Sequence, residues 1–211
     1  IMKKKLGRKI YGFLILNLFL SVNAYSSSYK NLEIEGVKID KNIFQVVAEK
    51  TVIGCINRLN EQESKPYGGN TEFILCNLYS NEILDSSKVF DNYEVIRVHY
   101  KKIDNKIHHI SGAIYHNEMR KCVNDLNKYK IKYDEVFKDA LKRTETKIYE
   151  LKNQPGTNVK QVFYKYADGF ARLICYDRSK NTNSSVSENK RIKLNIQAGT
   201  NEFMKFVRQN P

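Results

Sequence analysis

The chain has 211 residues, with 36 Lys and Arg against 23 Asp and Glu and a formal net charge of +13. That length limits the fold to one domain, or to two small ones that share a core. The basic surplus attracts anionic surfaces of many kinds, but its residues are scattered, without an Arg-rich block, so nucleic acid is not the expected partner.

The N-terminal segment reads as an export signal. Lys3, Lys4, Lys5, Arg8 and Lys9 form a basic cluster, residues 10–20 an apolar run, and Ser21-Val22-Asn23-Ala24 a small-residue end. This is the three-part pattern of a cleavable signal peptide. The apolar run is about a dozen residues, and a spanning helix needs about 20. Residues 1–24 are therefore expected to be removed, leaving 25–211 as the mature domain, secreted or periplasmic and with no integral membrane segment. Five basic residues and no acids lie in the signal, which leaves the mature part near +8.

In chain order, residues 32–39 predict a strand, and Asp40 a cap for a helix over 41–61. Residues 64–70, with Pro66-Tyr67-Gly68-Gly69, predict a loop. Strands are expected over 71–79 and 92–102, then a hairpin partner over 106–115. A helix starts near Asn117 and runs on, or restarts, through 133–143. Residues 147–151 read as strand and Gln154-Pro155-Gly156 as a turn. Residues 159–166 and 170–177 predict a hairpin about Ala167-Asp168-Gly169. Residues 181–189 are polar loop. In 190–198, Ile192, Leu194 and Ile196 share one strand face, and Thr200 caps a last short helix. The expected fold class is α+β: an antiparallel sheet, or sheets, with helices packed on one face.

Cys55, Cys76, Cys122 and Cys175 all lie in the mature part. An even count in an exported chain points to disulfides, and four cysteines allow three connectivities. The local sequence selects among them. Val52-Ile-Gly-Cys55-Ile-Asn-Arg-Leu-Asn60 and Met119-Arg-Lys-Cys122-Val-Asn-Asp-Leu-Asn127 share one pattern. In both, helical spacing puts the cysteine on the apolar stripe. Cys76 and Cys175 each end a β-prone apolar run, and a further strand begins about 16 residues later. The repeated order suggests tandem helix–strand–strand halves, 32–103 and 115–198, each closed by one disulfide: Cys55–Cys76 and Cys122–Cys175. A zinc site is disfavoured because no C-x-x-C is present.

The four histidines, His99, His108, His109 and His116, fall within 18 residues. Brought together across a hairpin they could bind metal, but they match no metal-site spacing, and adjacent His108 and His109 would point to opposite strand faces. No nucleophile elbow, phosphate loop or dinucleotide fingerprint occurs, so no catalytic residue and no cofactor is expected. Tyr beside Lys can build a stacking and phosphate-binding face, and is also what ordinary strand packing produces. The expected function is an exported, non-enzymatic binding protein that engages a protein or an anionic envelope component, with the 64–70 and 181–189 loops as contact regions. The alternative is a small secreted hydrolase or metal-binding protein with its site between His99 and His116.

Overall fold

The computed structural model describes residues 28–61, 70–79, 82–83, 93–152, 154–181 and 187–210. The expected export signal, most of the 64–70 loop and residues 182–186 lie outside them.

The first predicted strand is a small hairpin, β1 (Glu33–Ile34) and β2 (Val37–Lys38). Its turn places Glu35 at φ 49° and Gly36 at φ 83°. Positive φ at both central residues turns the chain tightly, and glycine accepts it without steric cost. The helix expected from residue 41 starts later, as α1 (Glu49–Glu61). Asp40 does not cap it. It sits at φ 67°, and its N–H donates to Ile107 O at 2.9 Å. Ile43 N–H donates to Asn105 O and Ile107 N–H to Lys41 O, both at 2.9 Å. The backbone of 40–43 is thus held by a distant turn and cannot enter the helix.

Three strands follow: β3 (Phe73–Leu78), β4 (Val95–Lys101) and β5 (Ile107–His116). Next comes α2 (Met119–Val136), which stops short of the predicted extension to 143. Residues Lys142–Glu145 are instead a strand, β6, wholly exposed and paired with β8. The chain continues through β7 (Tyr149–Glu150), β8 (Asn158–Lys165), β9 (Gly169–Asp177), β10 (Ile192–Thr200) and α3 (Asn201–Gln209).

The fold is α+β, as expected. Its large sheet is antiparallel, in the order β3-β4-β5-β10-β9-β8-β6, with β7 also on β8. Disulfides join Cys55 to Cys76 and Cys122 to Cys175, the pairing drawn from the sequence. Cys76 lies on β3, at one end of the strand order, and Cys175 on β9, in its interior. Both cysteines belong to the main core, with Ile74, Val98, Ile110, Leu173, Leu194 and Ile196 from alternate strand positions. The disulfides tie α1 and α2 to this face.

The helices do not all share one face. Phe73 is three residues from Cys76 on β3 and so points to the other side. There it meets Phe203 and Phe206 of α3 in a separate cluster, ring centroids 5.5 and 4.8 Å apart. A short C-terminal helix with one strongly apolar stripe covers the second face because β10 runs directly into it at Thr200.

Candidate anion-binding site

The second sheet face carries the polar residues that alternate with the core. Cross-strand register sets them in rows. One row is Asn77 on β3, Arg97 on β4, Ser111 on β5, Gln197 on β10 and Arg172 on β9. The row beside α3 holds His99, His109, Gly199 and Phe170. At the far end, Tyr115, Lys193 and Tyr176 are direct neighbours.

The histidines are only partly brought together. The pairing of β4 with β5 shifts register between His99 and Tyr100, so Tyr100 faces Ile107 while His99 faces His109. His108 is the extra residue of this bulge. The expectation that His108 and His109 diverge is therefore corrected: His108 packs on Phe73 at 5.3 Å and His109 stacks on Phe203 at 4.7 Å, in one aromatic layer under α3. His99 Nδ1 lies 3.0 Å from His109 Nδ1. Gln197, with its amide oriented to satisfy both neighbours, donates to His109 Nε2 at 3.1 Å and accepts from Arg172 at 3.0 and 3.1 Å. His109 Nε2 is then an acceptor, so its proton sits on Nδ1 and is donated to His99.

Burial pushes the His109 imidazole down to about 4, and the Arg172 and Arg97 charges add to this. Burial, then His109 and Arg97, hold His99 well below the usual histidine range. His108 Nδ1 lies 3.1 Å from Thr200 Oγ1 and 3.3 Å from Glu202. His116 is apart from the others, on the α2 side, with Nε2 3.8 Å from Asp125. Among the described residues no three His, Cys, Asp or Glu side chains are placed to share a metal ion. His99 and His109 are both buried and pack on Phe203.

One open feature of this face is a cavity of about 370 Å³ at its far end; another, of about 440 Å³, lies beside α3. Four cations line the first: Arg97, Arg178, Lys190 and Lys193. Glu94 is the one acid on its wall among the described residues, and its carboxylate accepts the Tyr115 N–H at 3.3 Å. Aromatic rings seat the charges. Lys193 and Arg178 approach the Tyr176 ring at 5.7 and 5.4 Å from its centroid, and Lys190 the Tyr115 ring at 5.5 Å. Ring quadrupoles stabilise a cation there without cancelling its charge. Arg97 Nε donates to Asn77 Oδ1 at 3.1 Å.

Lys193 is the unusual member. It is 7 % exposed, and among the described residues no carboxylate pairs with it. Burial, then the Arg97 and Arg178 charges, push its ammonium down to about 8. A buried cation without a counter-charge is costly in a fold, and such groups concentrate at sites that bind or react. None of these cations stands out in the sequence. The only signal is the alternation of β10, which sets Lys193, Asn195 and Gln197 opposite the core residues; it gives the face but not its burial.

Comparison with protein-family models, with curated proteins and with solved structures finds no match to this chain.

Proposed function

We propose that the protein is an exported, non-enzymatic binding protein that takes an anionic partner in the pocket formed by Arg97, Arg178, Lys190 and Lys193. The observation that carries this reading is the buried Lys193, which no carboxylate pairs among the described residues, within a cavity whose described wall bears four cations and one carboxylate. A bound anion would supply the missing counter-charge. Two disulfides support export, because such bonds persist in oxidising compartments. Segment 1–24 is read as the signal that sends the chain there. The doubled order of cysteine-bearing helix and strand is read as a duplication in which β4 and β10 correspond, since each lies between its cysteine strand and β5.

The test is retention of the mature protein on immobilised dextran sulfate. Arg97→Ala/Arg178→Ala/Lys190→Ala is expected to elute at clearly lower salt than wild type. Lys128→Ala/Lys132→Ala, on the far side of α2, is the control for general charge and should change elution much less. Equal shifts in the two variants, or no retention of the wild type, would reject the reading.

A further inference from the structure

We infer that this pocket is built for a phosphoryl group, a multiply charged oxyanion, with Lys193 as the cation that meets it. The inference rests on the anion-binding reading above and narrows its ligand. The argument is one of charge. Arg97 and Arg178 both act electrostatically on Lys193, so three cations lie within interaction range of one another. The facing groups are Tyr176, which carries Lys193 and Arg178, and Tyr115, which carries Lys190 and whose N–H holds Glu94. The tyrosines offset none of the four positive charges and Glu94 offsets one, so the described wall keeps an excess of about three. One carboxylate ligand would compensate a single cation. A phosphate monoester brings a charge of about −1.5 to −2 and three strong acceptor oxygens. Two guanidinium forks and one ammonium point charge match those acceptors in kind. A volume of about 370 Å³ exceeds what a bare phosphate needs and leaves room for the group that carries it.

The ligand then controls a proton. Burial, then Arg97 and Arg178, push the Lys193 ammonium down to about 8, and a dianion beside it raises it again. Binding near pH 8 is therefore accompanied by uptake of part of a proton per site, and the uptake vanishes as pH falls well below 8. An ordinary basic surface, whose lysines are already fully charged, takes up none.

The probe is glycerol phosphate, dianionic at pH 8, titrated calorimetrically into the mature protein in two buffers of different ionisation enthalpy. Binding should be at least tenfold tighter than that of acetate at equal ionic strength, with the proton uptake above. Lys193→Met replaces a buried ammonium with an apolar side chain and is expected to fold, which circular dichroism checks. It should weaken binding at least tenfold and abolish the uptake. Lys193→Arg should keep most of the affinity and also abolish the uptake. Acetate binding as well as glycerol phosphate, or wild-type binding without proton uptake, would overturn the inference. So would no binding of glycerol phosphate in a protein still retained on dextran sulfate through Arg97 and Arg178, a result that leaves the broader reading standing. Phosphatidylcholine vesicles with and without phosphatidic acid separate the sources. Pelleting only with phosphatidic acid assigns a lipid headgroup, and capture of soluble glycerol phosphate without pelleting assigns a free ester.

Discussion

His109 shows how one buried side chain ties stability to pH. Its folded value of about 4 lies below the ordinary 6.5, so between these values the unfolded chain binds more protons than the folded one. Stability is therefore full above about pH 6.5 and falls as pH drops toward 4. The loss from His109 alone is on the order of 3 kcal/mol. His99 acts in the same direction, because a second proton would set two N–H groups against each other across 3.0 Å. Urea midpoints measured from pH 7 to 4 should decline steeply in wild type, and His99→Phe/His109→Phe should flatten that decline whatever its absolute stability. A flat wild-type profile would contradict the buried neutral pair. The histidines were visible in the sequence as a cluster. The common side of His99, His108 and His109 was not, because it depends on a bulge that only the β4–β5 register creates.

At the scale of elements, the disulfides are the clearest sequence-derived success. Helical spacing put Cys55 and Cys122 on apolar stripes, and each bonds to a strand of the face its helix covers. The two differ in loop length, 21 against 53 residues of separation. In the chain-entropy model, opening them costs about 3 and about 4 kcal/mol. Cys122→Ser/Cys175→Ser should accordingly lower the unfolding free energy more than Cys55→Ser/Cys76→Ser, as read by chemical denaturation; the reverse order would count against the loop-entropy account. Two elements were misjudged for physical reasons. β6 is exposed at every residue, so it has no apolar alternation to announce it. It is held by backbone pairing to β8 and by Arg143, whose guanidinium binds Asp134 of α2 at 2.7 Å. The late start of α1 has a similar origin, since the backbone of 40–43 bonds to the β4–β5 turn some 60 residues away.

For the whole molecule, charge and address belong together. If residues 1–24 direct export, the mature protein recovered from the medium or periplasm should begin near Tyr25 on N-terminal sequencing. A chain recovered intact in the membrane fraction would refute that expectation. Among the described residues no helix is long and apolar enough to cross a membrane.

The sequence by itself determined the α+β class, most strand positions and the disulfide pairing, because each rests on local spacing: a period of two, a period near 3.6, and cysteines placed on those periods. It also set the basic surplus. Only the tertiary structure decided where that surplus gathers. Arg97, Arg178, Lys190 and Lys193 come from three separated stretches of chain: strand register places Arg97 and Lys193, and the chain leaving β9 and entering β10 brings Arg178 and Lys190 beside them. Burial of Lys193 is likewise a property of the assembled sheet, since a lysine in an alternating strand looks the same in sequence whether its face meets water or closes over a pocket.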